Sequence, residues 1–166
     1  MSDQEMMHDA VRALSPDDIA NSVEEIRVLE GFQVSPVLLA ESVWRDRYGP
    51  ATDPEVFGFS DKRAGGPGLP NRLWEAFKGE WYKFACTKDP KYRELRTKVS
   101  SLKGKPATVV ISAMSIAISQ QLGIGAGILT PFIAIFLHGI VKLGFASVCT
   151  AIKDNRHTSM ESQVES

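Results

Sequence analysis

The side chains that could act as nucleophiles or bases are concentrated in the last third of the sequence. They are Ser112, Ser115, His138 and Cys149. A serine or cysteine nucleophile needs a neighbouring base and a further group that orients this base. None of the four has such a local arrangement, and all stand in an apolar segment, which is a poor setting for an activated nucleophile. The sequence therefore predicts a protein that is not an enzyme.

The histidines do not form a metal-binding pattern. His8, His138 and His157 are widely separated, and together with two cysteines they match none of the spacings of zinc ligands. The glycine-rich run at 65–68 is not followed by the Gly-Lys-Ser/Thr of a phosphate-binding loop. We therefore expect no metal and no cofactor.

The two cysteines are Cys86 and Cys149. Two are too few for the disulfide framework of a small secreted fold. We interpret them as unpaired thiols, which agrees with a reducing compartment. The acidic first nine residues contain no apolar run, so we expect no export signal there.

Charged residues are separated into blocks along the 166 residues, although the net charge is only -1. Residues 1–61 contain 4 basic and 13 acidic side chains, whereas residues 62–105 contain 12 basic and 4 acidic ones. Residues 106–141 carry no formal charge. This order, acidic then basic then apolar, indicates partners and orientation rather than a particular fold.

Residues 1–48 are predicted to form an acidic helical module. Ser15-Pro16 and Ser35-Pro36 each mark a helix start, because serine favours the N-cap and proline the first helical position. The expected role of this module is to bind a partner or to fold onto the basic segment. Residues 49–71 are rich in glycine and proline and are predicted to be a linker.

A helix-turn-helix centred on residues 31–34 is the alternative for the same region. It would direct Arg45 and Arg47 toward phosphates. The acidic balance of residues 1–61 repels nucleic acid, so nucleic acid is not the expected partner.

Residues 72–105 are predicted to form two basic amphipathic helices, broken at Asp89-Pro90. Four aromatic residues share one face of the first helix, and they either fill a protein core or contact an anionic membrane or a partner. No recognition signature supports single-stranded nucleic acid instead. The aromatic residues are Trp74, Phe77, Trp81 and Phe84, and the lysines expected to join a membrane or partner contact are Lys98, Lys103 and Lys105.

Residues 106–153 are predicted to form an apolar helical hairpin. Residues 122–141 are the cleanest single membrane span, and a two-helix hairpin of residues 107–121 and 131–152 also fits. Lysines just before the hairpin favour a cytosolic N-terminal part with a membrane-associated hairpin. The alternative location is the cytoplasm. Residues 154–166 are predicted to be a disordered tail.

Polar residues inside this hairpin argue for an assembly rather than an isolated span. Lys142 is expected near the middle of the second helix, where a lysine in lipid costs about 3 kcal/mol, with His138 one turn away. Hydroxyl groups on one helix face are typical of close helix packing in lipid. This polar stripe consists of Thr108, Ser112, Ser115 and Ser119.

The sequence therefore predicts an all-α protein whose hairpin is too apolar, and too little shielded by its own chain, to stay alone in water. We expect a non-enzymatic protein that inserts into an anionic membrane, as a homo-oligomer or in a hetero-complex. The alternative is a soluble, non-catalytic subunit that docks the hairpin into a partner protein.

The stretch Leu73–Cys149 resembles small accessory proteins found in bacterial conflict and anti-phage loci. The resemblance implies a companion of a separate enzyme or a membrane-acting effector, and it transfers no catalytic residue. It rests on residues 73–77, residues 84–87, Lys91-Tyr92, Leu122-Gly123, residues 143–145 and Cys149.

Overall fold

Eight α-helices account for most of the chain that the computed structural model describes. The description covers residues 2–22, 26, 35–49, 54–58 and 68–165, and it is limited to the backbone from residue 156 onward. These residues contain no strand, which confirms the predicted all-α class. The helices are α1 Asp3–Arg12, α2 Pro16–Ser22, α3 Pro36–Tyr48, α4 Leu69–Cys86, α5 Arg93–Ser101, α6 Ala107–Leu122, α7 Ala126–Leu143 and α8 Phe145–Glu165, with 3₁₀ turns at Pro54–Phe57 and Pro90–Tyr92.

Local capping explains where several helices begin. Ser2 and Glu5 form a capping box at the start of α1. The Ser15 hydroxyl accepts the Asp18 N–H at the predicted start of α2. Asp18 in turn accepts the Ala107 N–H at 2.8 Å, so the acidic N-terminal region caps the first helix of the apolar block.

The centre of the fold is α7, and helices from both ends of the chain surround it. It contacts α1, α2, α3, α6 and α8. Phe132 and Phe136 of α7 pack against the aromatic side chains of α4, with Trp81 and Phe136 ring centroids 5.5 Å apart. Buried residues from all eight helices form one core.

This enclosure corrects the expectation that the chain cannot shield its own hairpin. Residues 1–48 do not stand apart as a module, because α2 and α3 pack directly on α7. Gly139 of α7 makes the approach of α3 possible: a Cβ there would lie 2.6 Å from the Cβ of Pro36 and closer still to its Cγ. Such contacts join residues distant in sequence, so helical periodicity does not reveal them.

The hairpin also has different boundaries from those predicted. Helix α6 ends at Gly123, which adopts a left-handed φ of 70°, and α7 begins at Ala126 rather than at Pro131. Pro131 lies inside α7, where its missing N–H removes one helical hydrogen bond. Gly144, with φ 95°, separates α7 from α8.

The C-terminal segment and the predicted linker differ from expectation as well. A disordered tail was predicted from residue 154, but helix α8 continues through Glu165. No glycine or proline interrupts the helix between residues 145 and 165. Within the predicted linker, Pro54–Phe57 forms a 3₁₀ turn and the Phe57 carbonyl accepts the Gly125 N–H at 2.9 Å. Residues 50–53 and 59–67 of that linker, and the predicted turn at 31–34, lie outside the described residues.

Cys86 and Cys149 form a disulfide, which corrects the prediction of two unpaired thiols. It joins the last residue of α4 to the first turns of α8, with Cα atoms 5.8 Å apart. Sequence spacing does not show this pair, since the partners meet only after α5, α6 and α7 have folded between them.

Candidate functional site

The candidate site is the α6–α7 hairpin, together with the helices that enclose it. Within the described chain, α7 alone is long and apolar enough to cross a membrane, with a mean hydropathy of 1.8 over 18 residues. Half of those residues are buried in the protein. The membrane-span candidate is therefore also the core helix of the fold.

The aromatic stripe of α4 lies inside this core. Its four side chains are at most 3% exposed, so none of them has surface left to contact a membrane or a partner in the folded chain. In this structure the aromatic stripe fills the protein core, which is one of the two predicted roles. The four residues are Trp74, Phe77, Trp81 and Phe84.

The polar stripe of α6 is divided between two environments. Thr108 and Ser112 are exposed, whereas Ser115 and Ser119 are buried. The Ser115 hydroxyl accepts a hydrogen bond from Thr130 of α7 at 3.3 Å. Ser115 therefore joins α6 to α7 within one chain, whereas the Ser119 hydroxyl donates to the Ile116 carbonyl of its own helix.

Lys142 and His138 do not form a polar centre in the middle of a helix. Lys142 stands in the last turn of α7 and is exposed, which corrects its predicted position at mid-helix. His138 is half-buried one turn earlier. The physical reason is the break at Gly144: α7 ends at Leu143, nine residues before the predicted end at residue 152, so Lys142 lies at the end of the helix.

The three lysines predicted to contact lipid lie together on the surface. Lys98 is in the last turn of α5, and Lys103 and Lys105 are in the short connection to α6. All three are exposed. We call them the basic cluster.

The residues considered for chemistry lie in different environments. The Cys149 sulfur is bonded to Cys86, so it is not a free thiol. Among the described residues, no group of three His, Cys, Asp or Glu side chains could hold a metal ion. Ser112 is exposed and Ser115 buried on α6, where both contribute to helix surfaces.

A buried arginine that sequence analysis missed joins α1, α4 and α5. Arg96 is fully buried, and its guanidinium donates to the carbonyls of Lys83, Phe84 and Asp89 at 2.7–2.9 Å. It also pairs with the Asp3 carboxylate at 3.1 Å. These carbonyls lie at or just after the C-terminal end of α4, where the last carbonyls of a helix have no N–H partner within the helix.

His8 of α1 lies beside this cluster. Its Nε2 donates to the Ala85 carbonyl at 2.9 Å, and its ring stacks on Phe145 of α8 at a centroid distance of 3.6 Å. Burial lowers the pKa of His8; the bond to Ala85 opposes this effect, and Arg12 and Arg96 add to it. A neutral His8 thus holds α1 against both α4 and α8.

A second missed cation fixes α8 to α4. Lys78 is fully buried, although its charge suggested the solvated face of the helix. Its Nζ contacts Glu75 at 2.9 Å and donates to the amide oxygen of Asn155 on α8. Together with the disulfide, this contact makes α8 antiparallel to α4.

Spacing does contain a signal for both missed cations. Lys78 is four residues after Trp74 and three before Trp81, and Arg96 is four after Tyr92 and three before Val99. Helical periodicity places each on the buried face.

Comparison with protein-family models, curated proteins and solved structures finds no match to this chain. The resemblance of Leu73–Cys149 to accessory proteins of conflict loci therefore stays a prediction.

Proposed function

We propose that this protein is a non-enzymatic, conditionally membrane-inserting protein. In water the α6–α7 hairpin is the core of a helical fold; at an anionic membrane the enclosing helices move away and the hairpin enters lipid. The observation that carries the proposal is α7, which meets the length and hydropathy of a membrane span and is enclosed by helices from both ends of the chain.

Some of the contacts that hold the enclosing helices can be broken by acid, salt or a thiol reductant. Helix α1 buries Met7 and Val11 in the core, and it is also held through His8 and through the Arg96 pair with Asp3, two polar contacts that are sensitive to pH and salt. Helix α8 is held by the disulfide to Cys86, which a thiol reductant cleaves. Opening exposes a hairpin whose formal charge is confined to Lys142 in the last turn of α7, and lipid is a better solvent than water for the apolar remainder.

Insertion is tested with the full chain and vesicles that contain phosphatidylglycerol. The oxidised protein at pH 7.5 is expected to stay in the carbonate-extractable fraction. At pH 5.5 with a thiol reductant, we expect carbonate-resistant binding and hydrogen exchange that is slow in α7 but fast in α1. Recovery in the supernatant under both conditions, or pelleting without vesicles, would refute insertion.

A substitution on the surface of α6 separates insertion from folding. Ile116 is 51% exposed, so Ile116→Asp leaves the core intact but places a charge in the hairpin, at a cost of about 3 kcal/mol in lipid. Ser42→Asp is the matched control on the exposed side of α3. Only Ile116→Asp is expected to lose carbonate resistance; equal behaviour of the two variants would count against insertion of α6.

The same experiment separates this proposal from the alternative of a soluble subunit that docks its hairpin into a partner. Docking also requires the hairpin to leave its own core, but it predicts no carbonate-resistant binding to protein-free vesicles. A role in a bacterial defence system and assembly into oligomers stay predictions from sequence.

A further inference from the structure

One helix face of the enclosed hairpin remains on the surface. On α6 the outward positions are uncharged, and two large apolar side chains are well exposed: Val109 by 42% and Ile116 by 51%. The polar residues between and beyond them are exposed as well. They are Thr108, Ser112, Gln120 and Gln121.

The basic cluster stands at one end of this face. Helix α5 ends at Ser101 and α6 begins at Ala107, so Lys98, Lys103 and Lys105 gather where the hairpin starts. None of the three makes an ion pair with another described residue, and their charges therefore remain available.

The free end of α7 adds to the same region. Because α6 and α7 are joined through residues 123–125 and pack on each other, the end of α7 lies at the end where α6 begins. Lys142 and Leu143 are exposed there, Leu143 by 57%. Asp18 also reaches this end, but it is half-buried and its carboxylate accepts the Ala107 N–H.

We propose that the outer face of α6 and the basic cluster form the surface by which the folded protein first binds an anionic phospholipid bilayer. Positive side chains beside an uncharged, partly apolar helix face are complementary to anionic headgroups over an apolar interior. We assign this surface to lipid because the unpaired lysines favour an anionic partner, whereas the exposed Val109 and Ile116 favour contact with apolar groups. An anionic bilayer offers both. This inference rests on the proposed function and specifies how it begins.

The binding geometry gives the hairpin a short path into lipid. With α6 flat on the headgroups, α7 is the helix directly behind it, since the two pack along their lengths. Insertion then needs the departure of helices on the far side of α7. The surface step is reversible and needs no opening of the core.

The test uses the oxidised full chain at pH 7.5, where the core stays closed, and sedimentation with phosphatidylglycerol vesicles at low salt. Each lysine near such a surface contributes about fivefold in affinity. The triple variant K98E/K103E/K105E is therefore expected to bind at least a hundredfold more weakly. Binding of the unmodified chain should be lost in 0.5 M salt and be absent with neutral phosphatidylcholine.

The control reverses three other exposed cations, R72E/K88E/K153E, and so has the same net charge. It is expected to retain most of the binding. Similar loss in both triple variants would mean that overall charge, not this surface, directs binding, and the inference would fall. Val109→Ser with Ile116→Ser is expected to weaken binding severalfold while leaving the unfolding midpoint unchanged.

The outcomes also distinguish this inference from the proposed function. Lysine-dependent binding without carbonate resistance under any condition supports the surface and overturns insertion. Carbonate resistance with no difference between the triple variants supports insertion and overturns the surface. A concentration-dependent dimer in lipid-free sedimentation, abolished by the Val109 and Ile116 substitutions, would assign the α6 face to a second copy of the chain and overturn the inference.

Discussion

Single buried cations determine how the N-terminal helix is held in this fold. The Arg96 guanidinium donates hydrogen bonds to three carbonyls near the end of α4 and pairs with the Asp3 carboxylate, so these groups have a partner without water. A buried guanidinium is tolerated because its donors are satisfied by partners in fixed positions. The Arg96 charge therefore stabilises the core, whereas the lysines of the basic cluster remain at the surface.

Removal of the Arg96 side chain should destabilise the whole protein. Arg96→Ala leaves buried carbonyls without donors, and we expect a loss of about 3 kcal/mol in the free energy of unfolding. Arg93→Ala, on the exposed side of the same helix, should stay within about 0.5 kcal/mol. Urea unfolding followed by tryptophan fluorescence measures both, and equal midpoints for the two variants would contradict the role given to Arg96.

His8 should make stability depend on pH below neutrality. Its pKa is lowered in the folded chain by burial, so the unfolded chain, with a pKa near 6.5, takes up the proton first. The contribution of neutral His8 is complete above pH 6.5 and is lost as pH falls toward the folded pKa. We expect the urea midpoint to decrease between pH 7.5 and 5.5.

The control for this pH dependence is His8→Gln, which keeps an N–H donor for the Ala85 carbonyl but does not titrate. Its midpoint should decrease less than that of the unmodified chain over the same interval. Because His138 and His157 are present in both proteins, the difference between the two slopes reports His8. Identical slopes would show that His8 does not couple protonation to folding.

The partly buried Glu80 and the buried Tyr92 show a different balance of effects on pKa in the same region. Burial alone would raise the pKa of Glu80, but hydrogen bonds from Lys91 and Tyr92 outweigh it and hold that pKa below its usual value. Burial and the Glu80 hydrogen bond raise the pKa of Tyr92. The Glu80 contribution to stability is therefore lost only in acid, below the range in which His8 acts.

At the scale of helices, the crossing of α3 and α7 depends on a residue without a side chain. Gly139→Ala would force the Cβ against Pro36, whose ring cannot turn away. Despite the better helix propensity of alanine, we expect a net loss of about 1–3 kcal/mol in the free energy of unfolding.

Gly127→Ala is the matched substitution near the start of the same helix. A Cβ at Gly127 meets no atom within 4 Å, so this variant should be neutral or gain up to about 1 kcal/mol. Urea unfolding of both variants isolates the packing effect from propensity. A gain at both positions would show that α3 can move away from α7 at no cost.

The helices themselves could be predicted from the sequence to a large extent. Ser15-Pro16 and Ser35-Pro36 mark real helix starts, and the predicted boundary between residues 48 and 49 is a real helix end. These signals are local, since caps and proline act within one turn. Pro131 was misleading because the burial of the residues that follow it offsets the hydrogen bond and the steric fit that a proline inside a helix loses.

The arrangement of the helices could not be predicted, because it depends on contacts between distant residues. Asp18 caps Ala107, Gly139 admits Pro36, and Cys86 meets Cys149. No period or composition in the sequence relates these pairs. For the same reason, the aromatic stripe was compatible with either core or membrane until its partner Phe136 was located.

At the scale of the whole molecule, the fold resolves the conflict between an apolar hairpin and an aqueous environment. Helices from the acidic N-terminal region cover α7 on some sides, and α4, α6 and α8 lie around the rest. The acidic block thus covers α7, and the apolar block contributes the hairpin. The basic block contributes the aromatic stripe to the core and the basic cluster to the surface. Insertion, as proposed, exchanges this protein cover for lipid.

The disulfide contributes to that cover by joining residues 63 positions apart. A closed loop of this length lowers the entropy of the unfolded chain enough to stabilise the fold by about 4 kcal/mol. The double variant C86S/C149S, and the unmodified chain in a thiol reductant, should both unfold at clearly lower urea concentrations. Addition of reductant to the double variant should have no further effect, and a shift there would mean that the reductant acts elsewhere.

The same bond ties the hairpin to its cover, since α8 follows α7 directly after Gly144 and is fixed to α4 through Cys149. C86S/C149S should therefore become carbonate-resistant on anionic vesicles at a less acidic pH than the oxidised chain. His8→Gln, which removes one titrating contact of α1, should shift that pH in the opposite direction. Insertion of the oxidised and reduced chains at the same pH would show that α8 stays on α4 while the hairpin leaves, and opening would then begin at α1 and α2.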